Sequence, residues 1–162
     1  MANDFSTDPN CVALWKFDNN ALDSKGGNDL TPVNTPTYDA GDKKEGTHSI
    51  DLEESSSQYG AIADGDLDAG FPGKSGTSEQ SFSICGWVKL ESLSTAALIC
   101  KLNPTGDLKC FSVSITYNGT IDFLIGYNNG ADSTDLLFGT NLTTGIWYHI
   151  AVVYDHTDNS MK

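Results

Sequence analysis

The stretch IWYHIAVVY, residues 146–154, decides how the fold is interpreted. Its side chains alternate between two sets that are both mainly apolar or aromatic: Ile146, Tyr148, Ile150, Val152 and Tyr154 on one face, and Trp147, His149, Ala151 and Val153 on the other. Alternation with a period of two is the pattern of a β-strand. An apolar character on both faces is typical of a central strand covered on both sides. We therefore predict a central strand here, with His149 as a hydrogen-bonded core residue and not a catalyst.

Short alternating segments and turn residues fill the rest of the chain, and helical periodicity is nearly absent. Asn118-Gly119 predicts a two-residue hairpin turn, and the segment DGDLDAGF, residues 64–71, predicts at most one helical turn. We expect a flexible lead-in over residues 1–10 and no domain boundary after it. About ten short strands predict an all-β, two-sheet antiparallel sandwich or jelly roll. Besides the opening strand, the predicted strands are residues 11–17, 48–53, 57–63, 81–90, 96–102, 109–117, 120–127 and 135–140.

The charge balance excludes some classes of partner. The 162 residues include 9 Lys+Arg against 22 Asp+Glu, a formal net charge of −13. Such a surface repels nucleic-acid phosphates and anionic membranes, and no segment approaches the ~20 apolar residues of a membrane span. The start, MANDFSTDPN, has neither the basic region nor the apolar stretch of a secretory signal. We expect no nucleic-acid partner and no membrane insertion. The acidity is compatible with divalent cations, neutral sugars or basic partners, and also with plain solubility.

The four cysteines, at positions 11, 85, 100 and 110, have spacings that match no metal-binding pattern. Cys100 and Cys110 flank a predicted hairpin loop, so they could face each other across two strands and form a disulfide. Reduced, buried thiols are at least as compatible with the sequence. Both alternatives stay open at this stage.

Several short motifs follow one another in a fixed order along the chain. Their positions are Trp15, Phe17, Asp18, Asp23, Ser24, Gly26, Trp87, Val88, Lys89, Trp147, His149, Ala151 and Val152. This ordered series resembles the laminin-G-like, concanavalin-A-like jelly-roll family. The resemblance spans residues 11–155 and implies a two-sheet sandwich over residues 11–162. In that family the strand equivalent to residues 146–154 is followed by a polar turn and further strands. We therefore expect an incomplete sandwich, whose last strands belong to a longer chain or come from another molecule.

No catalytic signature accompanies this resemblance. Sandwiches of this architecture that hydrolyse glycans use paired carboxylates in a Glu–Asp–Glu series on one strand. None of the five glutamates has an aspartate two positions further on, and no nucleophile-elbow, zinc-helix or phosphate-loop motif is present. We predict no catalytic residues and no enzyme activity, with a glycoside hydrolase fragment as the remote alternative.

Two Asp-rich loops are candidate calcium sites, because the resemblance implies calcium in loops at the edge of the sandwich. The favoured set is Asp18, Asp23, Asn28 and Asp29, and the alternative set is Asp64, Asp66 and Asp68. The alternative loop has Ala69 and Ser75 where an EF-hand would have its glycine and its last glutamate. Ordinary Asp-rich turns also explain both loops, and the sequence favours that explanation.

The resemblance also implies glycan binding or adhesion. Sugar sites combine an aromatic ring with Asn, Asp and Gly, so we predict a carbohydrate site at Tyr127, Asn128, Asn129 and Asp132. Tyr59, Tyr117 and Trp87 are alternative aromatic platforms.

Two classes of function follow. The first is a non-catalytic carbohydrate-binding or adhesive recognition domain of a cell-surface or secreted protein. The second is a structural domain of a virus particle, such as a capsid decoration or a tail-fibre component. The expected partner is a glycan or a protein surface, and the expected location is extracellular, on a cell surface or on a virion.

Overall fold

The computed structural model describes residues 4–74, 80–101, 110–127 and 132–162. In these ranges the chain is all-β, with eleven strands and two single-turn 3-10 helices, Glu54–Ser56 and Asp64–Asp66. All pairings between strands are antiparallel. The chain divides into two compact units, Met1–Lys74 and Ser75–Lys162. The part of the chain that is described contains no helix long and apolar enough to span a bilayer.

The unit Met1–Lys74 contains two small sheets. Strand β1 (Thr31–Val33) pairs with β4 (Tyr59–Ala61), and β2 (Thr37–Asp39) pairs with β3 (Ser49–Asp51). The sequence prediction missed β1 and β2, which are three residues long. A proline inside β1, Pro32, argues against a strand because proline has no N–H to donate.

The predicted strand over residues 11–17 is wrong. Trp15 forms an isolated bridge with Asp23, and no named strand covers this segment. Phe17 and Asn19 have positive φ angles of 55° and 61°, which end an extended backbone. Local turn geometry therefore outweighs the alternation of apolar residues in this segment.

The unit Ser75–Lys162 contains two larger sheets. Strands β5 (Phe82–Lys89), β10 (Trp147–Asp155) and β11 (Ser160–Met161) form a three-stranded sheet in the order β11-β10-β5. Strands β6 (Ala96–Lys101), β7 (Cys110–Ile115), β8 (Thr120–Tyr127) and β9 (Asp132–Asn141) follow one another in a four-stranded sheet. The predicted central position of residues 146–154 is confirmed, because β10 lies between β11 and β5.

Aromatic rings join these two sheets into a sandwich. Phe82 of β5 packs against Phe111 and Phe123 of the four-stranded sheet, with ring centroids 5.1 and 6.4 Å away. Tyr154 of β10 lies 5.7 Å from Phe82. The side chains of Phe123 and Val152 are almost completely buried. The predicted two-sheet antiparallel sandwich is therefore confirmed.

The outer face of β10 is exposed, against the sequence prediction, and so is the adjoining face of β5. Trp87 is 38% exposed and Val153 is 41% exposed, and His149 and Ala151 on the same face are also exposed. The predictions that β10 is covered on both sides and that His149 is a core residue are wrong. The reason is that only one face of β10 carries the residues that meet the four-stranded sheet. Tryptophan, histidine and alanine tolerate solvent, so an apolar pattern alone does not prove burial.

The predicted alternative of a Cys100–Cys110 disulfide is also wrong. Cys100 is a free thiol, as are Cys11 and Cys85. The register pairs Cys100 with Ser112, whereas Cys110 pairs with Gly126. The two cysteines are therefore offset along β6 and β7 and do not face each other.

The turn at Asn118-Gly119 joins β7 to β8, but it has three residues and not the predicted two. Ile115 pairs with Ile121 and the amide of Thr116 donates to the carbonyl of Thr120, which leaves Tyr117, Asn118 and Gly119 as the loop. Gly119 has a φ of 83°, and its amide donates to the carbonyl of Thr116 at 2.9 Å. Its carbonyl accepts the amide of Leu142 at 2.8 Å, which ties the turn to the end of β9. A Cβ at position 119 would collide with the carbonyl oxygen of Leu142.

We expect Gly119→Ala to lower the free energy of unfolding by about 2 kcal/mol or more, because a positive φ disfavours alanine and the new methyl group has no room. Urea unfolding measures the change. Gly139→Ala is the matched control, because open space surrounds its Cβ position. Equal stability of the two variants would contradict the described packing of the turn.

Candidate functional site

The carboxylate of Asp23 organises the first Asp-rich loop. Asp23 is 8% exposed, and its Oδ1 accepts the amides of Leu14 and Lys25, both at 2.8 Å. Its Oδ2 accepts the amide and the side-chain Nδ2 of Asn28 at 3.2 and 3.0 Å. Burial opposes ionisation of Asp23, but these hydrogen bonds together outweigh it and hold the pKa of the carboxyl below its usual value.

Asn28 connects the two candidate loops. Its side chain is fully buried, and its Nδ2 donates to Asp68 Oδ2 at 2.9 Å as well as to Asp23. Its Oδ1 accepts the amide of Asp68 at 2.9 Å, and its backbone carbonyl accepts the indole N–H of Trp15 at 2.7 Å. One asparagine thus holds residues that are far apart in sequence, which is the role expected of a satisfied buried polar group.

The remaining members of the favoured calcium set lie in different surroundings. Asp29 Oδ1 accepts the amide of Asp23 at 2.7 Å, so it joins the same loop. Asp18 Oδ1 instead accepts the amides of Thr47 and His48 and the hydroxyl of Thr47. The hydrogen bond from Thr47 is the main reason that the pKa of Asp18 is lowered. The structure brings together Asp23, Asn28 and Asp29, but it places Asp18 on another turn.

The same network absorbs part of the alternative calcium set. Asp68 bonds to Asn28, as described above, and the ammonium group of Lys74 donates to the backbone carbonyls of Gly65 and Leu67. Groups that already accept protein N–H donors are poor starting points for a cation shell of oxygen ligands. Two acidic residues, Asp29 and Asp66, line a groove of about 620 Å³. The groove is also lined by Gly27, Thr31, Val33, Ala61, Ile62 and Ala63.

The predicted carbohydrate site falls mostly outside the described residues. Tyr127 and Asp132 are paired backbone positions at the ends of β8 and β9. Asn128 and Asn129 lie outside the described residues. The site at these four residues stays a prediction from the sequence.

Trp87, one of the alternative platforms, lies in a defined setting. It faces His149 across β5 and β10, and the two rings meet edge to face with centroids 5.1 Å apart and an interplanar angle of 71°. Trp87 as a whole residue is 38% exposed, so it is accessible to solvent in part while its ring also contacts His149. An aromatic ring fixed on a sheet loses little freedom on binding. The other two platforms, Tyr59 and Tyr117, are 50% and 76% exposed.

Two further carboxylates lie on the outer face of the four-stranded sheet. Asp122 pairs with Leu137, and Asp135 pairs with Leu124, so the two aspartates are diagonal neighbours on β8 and β9. Burial, followed by the charge of Asp135, raises the pKa of Asp122. Its Oδ1 is buried and has no hydrogen-bond partner among the residues that the structure describes. The sequence signal was an aspartate inside the apolar strand TIDFLIGY, but this pair was missed because its members lie on two strands.

We expect Asp23→Asn to lower the free energy of unfolding by about 2–3 kcal/mol at neutral pH, because charged acceptors for several amides are lost. The depressed pKa of Asp23 means that its contribution is present above about pH 4 and is lost as the carboxyl is protonated at lower pH. The wild-type protein should therefore lose more stability between pH 7 and pH 3 than the variant does. Thermal unfolding across this range is the measurement, with exposed Asp66→Asn as the control. Parallel pH curves for wild type and Asp23→Asn would contradict this assignment.

We expect Asp122→Asn to raise Tm by a few degrees at neutral pH, because it removes a partly buried charge that faces Asp135. A carboxyl whose pKa is raised by folding destabilises the fold when it is ionised, and this cost disappears as the pH falls through its folded pKa. The gain should therefore shrink in acid. A lower Tm for the variant at neutral pH would show that the Asp122 carboxylate has a stabilising partner.

Comparison with known proteins agrees with the fold. Residues 55–162 match the Laminin_G_3 family model, which describes the concanavalin A-like lectin/glucanases superfamily, and this match covers 108 of the 162 residues. Neither a curated protein nor a solved structure gave a significant match. The resemblance inferred from the ordered motifs is thereby confirmed. The chain belongs to the concanavalin A-like lectin/glucanases superfamily.

Proposed function

We propose that this chain is a non-catalytic carbohydrate-recognition domain, and that Trp87 is the ring on which a sugar stacks. Membership of a superfamily of lectins and glucanases supports a carbohydrate ligand in broad terms. The single observation that carries the proposal is that Trp87 is 38% exposed while its ring is fixed by edge-to-face contact with His149. The apolar face of a pyranose ring packs well against such a surface.

The surroundings of Trp87 suit recognition of a sugar. His149 offers ring nitrogens for a hydrogen bond to a hydroxyl group, and it contacts Trp87 directly. Both residues lie on strands that pair over eight residues, so their positions are fixed before a ligand arrives. Preorganisation of this kind reduces the entropy cost of binding.

Glycoside hydrolysis is the second candidate, and the pair Asp122 and Asp135 is the observation that favours it. Glycosidases use two carboxyl groups, one of which has a raised pKa and acts as the acid. Asp122 has the raised pKa and Asp135 is the neighbouring charge. We rank this second because Trp87 lies on the three-stranded sheet, whereas the pair lies on the four-stranded sheet.

We also propose that the chain binds a calcium ion, and only the position of acidic side chains supports this part of the proposal. Asp29 and Asp66 line one groove. Because Asp29 Oδ1 already accepts the amide of Asp23, the oxygens offered to a divalent cation would be Asp29 Oδ2 and the carboxylate of Asp66. The ion would add positive charge to an acidic loop, and we assign it no role in stacking on Trp87.

We expect Trp87→Ala to weaken binding of the best glycan by at least about 10-fold, which is about 1.4 kcal/mol. The measurement is a screen of immobilised glycans followed by calorimetry on the strongest ligand, with one arm in calcium and one in EDTA. Tyr117→Ala is the matched control, because it removes an exposed aromatic ring from the Asn118-Gly119 turn. Its binding should equal that of wild type.

Three other outcomes would redirect the assignment. Release of new reducing ends from a bound polysaccharide, lost in Asp135→Asn, would establish the hydrolase alternative. Unchanged affinity of Trp87→Ala, with a loss in Tyr127→Ala, would move the site to the loop predicted from the sequence. Absence of binding to any glycan would contradict the proposed function. The assembly role in a virus particle remains an alternative from the sequence alone.

A further inference from the structure

We propose that the groove of about 620 Å³ in the N-terminal unit, Met1–Lys74, binds a lysine side chain of a basic partner protein. The lysine ammonium group lies between Asp29 and Asp66, and its alkyl stem lies on the apolar part of the groove. The inference is independent of glycan binding on Trp87, because the described residues that line the groove all belong to the N-terminal unit. It adds a protein partner of stated chemistry.

The floor of the groove is one face of the two-stranded sheet formed by β1 and β4. Thr31 pairs with Ala61, and Val33 pairs with Tyr59. Side chains of directly paired residues lie on the same face of an antiparallel sheet. Thr31, Val33 and Ala61 line the groove, and Tyr59 continues their face. Tyr59 is 50% exposed, so this face carries accessible apolar surface.

The opposite face of the same two strands is packed against the chain itself. Pro32 pairs with Gly60 on that side. A Cβ at position 60 would lie 3.2 Å from the side chain of Leu30, so Leu30 covers the sheet there. The groove is therefore on the face of β1 and β4 that Leu30 leaves uncovered.

Two carboxylates stand at one end of this floor. Asp29 lies two residues before β1, and Asp66 lies on the 3-10 helix Asp64–Asp66 that follows β4. Both segments leave the sheet at the end where Thr31 pairs with Ala61. Asp29 and Asp66 both line the groove and are both exposed. The groove thus has an acidic end and an apolar floor.

An ammonium group on an alkyl stem uses both parts of the groove. Lysine buries its stem along apolar surface and keeps its charged head at the polar rim. A calcium ion would use the acidic end alone, because it takes oxygen ligands and has no apolar surface to place on the floor. The lining as a whole therefore fits an amphipathic cation.

The hydrogen bonding of Asp29 favours lysine over arginine. Its Oδ1 accepts the amide of Asp23 at 2.7 Å, which leaves Oδ2 to a ligand. A guanidinium fork pairs best with both oxygens of one carboxylate. An ammonium group has three donors that can reach single oxygens of separate groups. The pair Asp29 and Asp66 therefore suits the smaller, undivided charge.

The charge of the N-terminal unit favours a basic partner. Residues 1–74 contain 14 acidic residues against five lysines. One of these lysines, Lys74, shows that the loop around Asp66 can hold an ammonium group, since it donates to the carbonyls of Gly65 and Leu67. The negative surplus attracts a cationic segment and speeds its encounter with the groove.

The test is a titration of the ¹⁵N-labelled whole chain, followed by the NMR shifts of its amides. The probe is the peptide Gly-Leu-Lys-Leu-Gly with blocked ends, and the buffer contains EDTA to remove calcium. Comparison peptides carry norleucine, acetyl-lysine or arginine in place of the lysine. We expect norleucine and acetyl-lysine each to weaken binding by at least about 10-fold, because both lose the charge. The arginine peptide should also bind more weakly than the lysine peptide.

The decisive variant is Asp66→Lys, which reverses one charge at an exposed position. We expect it to weaken binding of the lysine peptide by at least about 10-fold. Glu54→Lys is the matched control, because it reverses an exposed charge of the same unit outside the groove lining. Val33→Ser tests the floor and should weaken binding without any change of charge. Thermal unfolding of each variant confirms that the fold is kept.

The outcomes leave the proposed function untouched, because they are read on the N-terminal unit. Shifts at Thr31, Ala61 and their neighbours, lost in Asp66→Lys and kept in Glu54→Lys, would support the lysine site. Equal binding of the lysine and norleucine peptides, a silent Asp66→Lys, or an equal loss in Glu54→Lys would overturn it. Tighter binding of the arginine peptide, shifts confined to β5 and β10, or no binding of any peptide would overturn it as well.

Discussion

The packing of Phe82 between the two sheets is the constraint on which the C-terminal unit depends. Its ring meets Phe111, Phe123 and Tyr154, so the side of β5 that carries Phe82 is the inner side. Because side chains alternate along a strand, this contact also decides that Ser83, Cys85 and Trp87 point outwards. The same ring that closes the core therefore presents the candidate sugar platform to solvent.

The N-terminal unit is organised differently, by a buried polar network in place of a large apolar core. Asn28 and Asp23 are buried polar residues, and their hydrogen bonds satisfy backbone amides that short strands leave unpaired. An aspartate-rich loop can thus be structural and still look like a cation site in sequence. The two uses differ at the level of single oxygens: Asp29 Oδ1 accepts the amide of Asp23, while the same residue also lines the groove.

Much of the C-terminal unit could be predicted from the sequence, because alternation, the Asn118-Gly119 turn and strand length all agree there. Prediction failed where the answer depends on which face of a strand packs against the other sheet. The sequence predicts His149 as a core residue because both faces of its strand are mainly apolar or aromatic, and only the packing of Phe82 shows which face is covered. The segment 11–17 failed for a local reason, since positive φ angles at Phe17 and Asn19 are not visible in an apolar pattern. The pair Asp122 and Asp135 could not be predicted, because a sequence motif shows spacing along one strand, whereas these two residues are neighbours on two paired strands.

The order of the strands has a consequence for how the molecule folds. Strands β6 to β9 pair with their neighbours in sequence, so their contacts close short loops and can form early. Strand β5 pairs with β10, and that contact must wait until the ends of a long intervening segment meet, at a larger entropy cost. Trp87 and His149 come from these two strands. The platform is therefore assembled among the last long-range contacts of the unit, and an unfinished chain emerging during synthesis would not display it.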